Sequence, residues 1–435
     1  MSASVAPSPW RTHGLLILLA MMYADNFVGR QIVAVMIEPI KHEFGASDTS
    51  MGLISGLAFA AVFALLGLPA GRLADRMSRT GLLAASSLLW GIATILCGLT
   101  GSFMLLVIAR MAVAAVEAPA APAALSLIAD LYPPQKRAFA ISVFTAAPTF
   151  AAIIALSLGA WMVDSYGWRF TFIAVGIPAL FIAALLFFFA KEPQRGRWDG
   201  ATPHVDPLSM GATVRQLWHD RSVRYLILAS AMATLGGTAF GMWNATFLVR
   251  SYDLKLQHAG LLTGLIGGGT AGFGVMFAGW LSDRLGKRGP QWRLRIPLTG
   301  HLIALITLAI YLFWPTRILF HVGTVPVPEV MVWCALYSFV SVWWLAPSFA
   351  LLTTLVSPSS RAVALALQTL LSTILGVGVG PVLIGALSDL LHPSFGIEAL
   401  RYALLLGCAT GACAIGLLTR VGRQLPSVQA GVSLR

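Results

Sequence analysis

Charge is what this sequence has least of: 11% of its 435 residues are Asp, Glu, Lys or Arg, 57% are hydrophobic, and the mean hydropathy is +0.81. Soluble domains carry about 25% charged residues, so a water-soluble globule is excluded. Cysteine is also scarce. The four, Cys97, Cys334, Cys408 and Cys413, fall within apolar runs, which gives no reason to expect a disulfide framework or a metal cluster. Nor is a reactive centre evident. The glycine-rich runs 264–274 and 376–380 lie inside apolar segments, without the Lys-Ser/Thr of a phosphate loop or the strand–turn–helix setting of a dinucleotide site. No nucleophile–base set stands elsewhere, so an enzyme, a cofactor and a bound metal are not expected.

What fills the chain instead is a series of apolar runs, each long enough to cross about 30 Å of hydrocarbon as helix. They recur at 14–36, 50–72, 80–99, 103–129, 137–163, 168–190, 222–249, 257–281, 296–314, 329–355, 361–388 and 398–419. The fold class is therefore an all-α polytopic membrane protein with twelve transmembrane helices. Residues 1–13 lead into a full-length run without a small-residue cleavage site, so the first helix is expected to insert the protein itself. Of the 29 Lys and Arg, six (Lys41, Arg169, Arg250, Lys255, Arg317, Arg401) fall on one side of this topology, two (Arg30, Arg110) within spans, and the rest on the other side. That asymmetry places both termini in the cytoplasm of a plasma (inner) membrane. The net charge of +12 then reflects insertion rules and lipid headgroups, and not a nucleic-acid face. A monomer is expected.

Two short stretches nearly repeat each other: Gly71-Arg72-Leu73-Ala74-Asp75-Arg76 and, 208 positions on, Gly279-Trp280-Leu281-Ser282-Asp283-Arg284. Lys136-Arg137-Ala138 and Ser360-Arg361-Ala362 open two further spans 224 residues apart, and these close on Gly159 to Asp164 and Gly385 to Asp389. Aligned charges at four places indicate an internal duplication. The predicted organisation is an N-terminal half (1–190), a linker rich in Pro, Gly and charge (191–221), and a C-terminal half (222–435). A short amphipathic helix is predicted over 209–219 from the spacing of Met210, Val214 and Leu217. Duplicated membrane halves joined by charged turns are the organisation of a transporter.

The Gly71–Arg79 stretch resembles the loop signature of the major facilitator superfamily, and the chain as a whole resembles its Spinster-like branch. The likeness rests also on Glu38 to Phe44 after the first span, Arg110 with Glu117 and Pro122 in the fourth, and Gly167-Trp168-Arg169 before the sixth. Trp243 and Arg250 in the seventh span, and Arg361-Ala362, Gly380-Pro381 and Leu387-Ser388-Asp389 in the eleventh, extend it. The resemblance implies two six-helix bundles around a central cavity, alternating access, and lysolipid or sphingolipid-type substrates. In one respect the chain departs from the family. An acidic residue usually precedes the arginine of the first span, whereas Gly29 precedes Arg30 here; Asp25, about one turn earlier, can reach nearby space.

Ionisable groups in a bilayer core cost about 2.5–3.5 kcal/mol on insertion scales, so those present face a cavity or a partner. Arg110 and Glu117 lie seven apart on one helix, about 10 Å along its axis, so each is expected to meet a group elsewhere. Glu117, with Asp25, is the expected proton-coupling group, and Arg110 the anion-holding charge that responds to it. The other reading is a permanent structural ion pair. Arg30 either supplies a second anion-binding charge or snorkels outward. Asn26, Trp243, Asn244, Phe247, Tyr337, Trp343, Trp344 and Gln368 are candidates to line the site; His301 reads as a packing group. Gly71, Asp75, Arg76, Gly279, Asp283, Arg284, Arg137 and Arg361 are expected to form a cytoplasmic gate, with the two Asp residues as latches. Together these features predict a secondary-active, proton-coupled transporter of an amphiphilic or organic-anion small molecule, with protons and membrane lipids as partners. The alternatives are an uncoupled facilitator and a sugar-acid or aromatic-acid proton symporter.

Overall fold

The computed structural model describes residues 9–195, 210–289, 291–357 and 360–432. Among the described residues, ten helical stretches are long and apolar enough to cross a membrane. One of them, 139–189, holds two spans, because Gly167 adopts φ 82° and ψ 163°, a left-handed φ that favours glycine, and breaks the helix there. Another, Val363–Ala403, runs through the eleventh span into the start of the twelfth, which continues as Leu406–Val432. The expected twelve-span all-α architecture follows. Several starts are set by local side-chain caps: Ser47, Ser78, Ser102 and Asp220 each accept a backbone N–H of the first turn they precede. The surface helix forms as Met210–His219, with Leu217 buried against the core that includes Val223 and Leu226.

The chain divides into two compact units, Met1–Ile40 with Ala61–His204, and Lys41–Ala60 with Val205–Arg435. In the first, glycines bring backbones into direct contact. A Cβ on Gly91 would stand 2.8 Å from the Gly176 carbonyl oxygen, one on Gly176 2.7 Å from that of Gly91, and one on Gly98 2.5 Å from that of Arg169. Lipid offers no hydrophobic drive between helices, so close packing of this kind is what holds the third span to the sixth. Leu19, Leu83, Leu127 and Phe144 fill the core beside it.

In the second unit the same device attaches residues 41–60 to the eleventh span. A Cβ on Gly385 would lie 2.2 Å from the Asp48 carbonyl oxygen, on Gly52 2.5 Å from that of Pro381, and on Gly56 2.7 Å from that of Gly378. π-helical turns occur at Leu53–Leu57, Thr263–Gly268 and Ser372–Val379; the first two precede Gly71 and Gly279 by similar distances, in keeping with the duplication. Outward-facing side chains are apolar: Leu65, Phe188, Phe189 and Leu390 are each about three-quarters exposed, as suits contact with lipid tails. Between the ninth and tenth spans an antiparallel hairpin joins β1 (Ile318–Val322) to β2 (Val325–Pro328), the only strands among the described residues. No strand was expected from the sequence.

Candidate functional site

One group of charges in the first unit, Arg30, Arg110 and Glu117, lies where two helices are interrupted. Arg30 lies in the last turn of Pro9–Gln31, and Glu117 ends Phe103–Glu117, just before Pro119. Although 87 residues apart, they form an ion pair: Arg30 Nε donates to Glu117 Oε1 at 2.8 Å, and Arg30 Nη2 donates to the same oxygen. The Glu117 side chain is 2% exposed and that of Arg30 25%, so the carboxylate is the more deeply buried partner. Phe63 and Phe27 lie beside the guanidinium, at 5.0 and 5.8 Å from its carbon to the ring centroids. Glu117 Oε2 is buried without a hydrogen-bond partner.

Arg110, expected to answer Glu117, is held by the first helix instead: its Nη1 donates to the Gly29 carbonyl at 3.0 Å, and the residue is 1% exposed. Arg30 is thus placed on Glu117 and is not simply an outward-snorkelling cation. Asp25 is half-buried, its Oδ2 shielded from solvent and without a hydrogen-bond partner, and Asn26 is buried one turn before Arg30. The departure at Gly29 has a steric cause. A Cβ there would sit 2.5 Å from Trp90 Cζ2, so the indole occupies the space an acidic side chain would need.

The candidates in the second unit are mostly interior. Trp243 is fully buried and its indole N–H donates to the Pro381 carbonyl at 3.0 Å. Asn244 accepts a hydrogen bond from the Tyr311 hydroxyl, and Phe247 packs on Tyr311 and Tyr252. Gln368 donates to Ser230 Oγ at 2.9 Å and to Ser348 Oγ at 3.3 Å. Trp343 packs among Phe277 and Phe339, and Trp344 is half-buried. Tyr337 stacks edge-on against Phe240 and, with His301, Ser341 and Thr410, borders an interhelical cavity of about 20 Å³, room for a single water.

At the repeated loops, the surroundings of Gly71 and the side chain of Asp75 fall outside what is described. Arg76 and Asp283 are exposed, Arg284 lies over the Trp280 ring at 5.3 Å, and a Cβ on Gly279 would stand 3.8 Å from Ala346, an ordinary contact that does not require glycine. Arg361 donates to the Thr353 carbonyl at 3.0 Å, and Arg137 is half-buried. The largest charge network here belongs to Arg79, the last residue of the loop signature. Arg79 is 1% exposed and pairs with Asp130 at 2.5 Å and Glu192 at 2.6 Å. Glu192 also accepts the backbone N–H of Thr80 at 2.9 Å. Partial burial alone would raise the Glu192 carboxyl, but the bonds from the Thr80 backbone and from Arg79 outweigh it and hold the group below its ordinary value.

A second network was also missed, this one in the second unit. Asp48, 2% exposed, accepts Arg250 through both oxygens at 2.7 and 2.8 Å, Lys41 at 2.5 Å and Ser388 at 2.7 Å. Asp389 in turn accepts the N–H groups of Asp48 and Thr49 at the start of their helix, at 3.0 and 2.8 Å, where an anion complements the helix N-terminus. Arg250 and Ser388-Asp389 stood among the motifs of the family resemblance; Asp48 carried no signal of its own.

Comparison with known proteins agrees with this architecture. The family model described as the Major Facilitator Superfamily matches residues 19–381. A protein named MFS-type efflux pump from Mycolicibacterium smegmatis is 32% identical over 399 residues, covering 91% of this chain and 88% of its own. The sphingosine-1-phosphate transporter SPNS2 of Danio rerio is 26% identical over 407 residues, covering 89% of this chain and 78% of its own. Among solved structures, a bacterial homologue of the human lysosomal transporter Spinster, described as inward-facing and unoccupied, superposes with a TM-score of 0.86 at 25% identity, covering 97% of this chain and 99% of its own. The twelve-span fold is thus that of a membrane transporter of small molecules, and the chain belongs to the major facilitator superfamily, in its Spinster-like branch.

Proposed function

We propose that the protein is a secondary-active, proton-coupled transporter of an anionic amphiphile or organic anion, working by alternating access of its duplicated halves, 1–190 and 222–435. One observation carries the reading: the Arg30–Glu117 pair, with Arg30 the more exposed partner and a buried carboxylate oxygen of Glu117 without a hydrogen-bond partner. A proton arriving on Glu117 would neutralise the charge that holds Arg30, freeing the guanidinium to grip a phosphate, sulfate or carboxylate. Asp25, whose Oδ2 likewise lacks a hydrogen-bond partner, is the second proton acceptor, in place of the acidic residue that Trp90 keeps out of position 29. Arg110, fixed at the Gly29 carbonyl, contributes positive potential beside that pair, and Asn26 a neutral hydrogen bond.

The apolar part of the ligand would rest on Phe27 and Phe63, beside the Arg30 guanidinium. Trp243, Asn244, Phe247 and Gln368, buried in the second unit, would serve its packing and not ligand contact. The lipid phosphate carried by the SPNS2 relative, by its name, makes a single-chain lipid anion the first substrate class to examine. Basic asymmetry supports a plasma (inner) membrane location with both termini cytoplasmic, and the chain is proposed to act as a monomer. A ligand that binds only the folded state stabilises it by RT ln(1 + [L]/Kd), about 2.7 kcal/mol at 100 times Kd. A thermal-unfolding panel of lysophospholipids, sphingoid phosphates, sugar acids and aromatic acids should therefore raise the melting point of the parent protein with the anionic amphiphiles and leave Arg30→Gln little affected. Equal stabilisation of parent and variant, or stabilisation by neutral ligands alone, would overturn the assignment.

A further inference from the structure

The hairpin between the ninth and tenth spans has an unusual outer strand. All five residues of β1 are exposed, and four are apolar on both faces: Ile318 at 54%, Leu319 at 52%, Phe320 at 50% and Val322 at 62%. A strand without polar alternation is expected to be covered on both sides, and a flat apolar edge strand standing in water invites association. The inner strand β2 is different, with Val327 and Pro328 buried. One strand of the hairpin is therefore seated on the unit while the other projects an apolar edge interrupted only by His321.

The base of the hairpin fixes where that edge stands. The ninth span ends at Phe313 and the tenth begins at Val330, so short tethers bind both strands to the membrane surface. The Tyr252 hydroxyl donates to the Trp314 carbonyl at 2.7 Å, the Trp314 indole donates to Glu329 at 3.2 Å, and the Glu329 N–H donates to the Arg317 carbonyl at 2.8 Å. Trp314 and Trp333 lie with ring centroids 5.2 Å apart. Paired tryptophans at span ends mark the level of the headgroups. From 315 to 328 the chain has no acidic residue, while Arg317 and His321 are exposed. The surface is apolar and cationic, held at headgroup depth.

We infer that β1 docks into the headgroup–acyl boundary of the leaflet at which the ninth span ends, burying Ile318, Leu319, Phe320 and Val322 among lipid and setting Arg317 against lipid phosphate. The boundary suits the strand because water and headgroups there can satisfy the unpaired edge N–H and C=O groups, which hydrocarbon cannot. The hairpin is thereby a lateral anchor of the second unit.

The test places an environment-sensitive dye on Phe320→Cys, in full-length protein carrying Cys413→Ser, with Leu319→Cys as a second reporter position. The labelled protein is reconstituted at one copy per nanodisc of phosphatidylcholine and phosphatidylglycerol, and a melting point equal to the unlabelled parent's establishes that it is folded. Dye emission should be blue-shifted relative to the same dye on exposed His219, and quenched at least twofold more by lipids spin-labelled near the headgroup than by lipids labelled at the chain end. Water-like emission without lipid quenching would overturn the proposal. So would a blue shift seen only with two copies per disc, which would assign the edge to strand pairing between copies.

Discussion

Replacing Gly29 tests the steric account of the family's missing acid. A Cβ at this position would come within 2.5 Å of Trp90 Cζ2 and 3.0 Å of Cη2, whereas carbon atoms rest about 3.5–4.0 Å apart. The overlap is therefore about 1 Å. Trp90 is 1% exposed, and its neighbour Gly91 is in backbone contact with Gly176, so the indole cannot retreat without moving the packed third and sixth spans. Overpacking of this kind costs about 1–3 kcal/mol; the gain of about 0.5–1 kcal/mol from Gly to Ala in a helix offsets part of it. Gly29→Ala should therefore destabilise by about 1–2 kcal/mol, and Gly29→Asp by more, since it adds a buried carboxylate. Thermal unfolding of detergent-purified protein reads the effect. Trimming the ring should recover it, with a favourable coupling of about 1 kcal/mol between Gly29→Ala and Trp90→Phe in a double-mutant cycle. A Gly29→Ala protein as stable as its parent, or strictly additive substitutions, would refute the reasoning.

Asp48→Asn should cost about 3 kcal/mol, because it leaves Arg250 and Lys41 facing each other without their shared carboxylate; a lower melting point, partly restored by adding Arg250→Met, checks this. Glu192 gives a pH dependence with a definite sign. Its folded carboxyl lies below its ordinary value, so its contribution to stability is present above the unfolded pKa of about 4.3 and is lost as pH falls through the lower folded value. The melting point of the parent should thus fall more steeply below about pH 4.5 than that of Glu192→Gln, and parallel curves would count against the network.

Much of the fold was legible because its physical cause is local. Twenty apolar residues in a row must span, Gly167 interrupts what would otherwise be one helix, and the repeated Asp-Arg loops betray the duplication. The site was legible only as a set of costly charges. That Glu117 pairs with Arg30 and not Arg110 depends on contacts across 87 residues of sequence, and on a glycine carbonyl that takes Arg110. Asp48 reaches Ser388 across 340 residues, through an approach that glycines 52, 56 and 385 permit. Arg79 looked like an ordinary topological cation because its partners, Asp130 and Glu192, belong to other segments. Trp243 and Phe247 looked like cavity aromatics because a buried ring and a lining ring have the same sequence signature.

The claim that Glu117 couples transport to protons is tested most directly by substrate flux into proteoliposomes under an imposed pH gradient. The substrate is the best stabiliser from the ligand panel, and the gradient is set from zero to about two units for parent and Glu117→Gln. The account predicts parent flux that rises with the gradient and concentrates substrate, against Glu117→Gln flux that is independent of the gradient and only equilibrates it. An unchanged gradient dependence in Glu117→Gln would contradict the account and leave the Arg30–Glu117 pair a structural one.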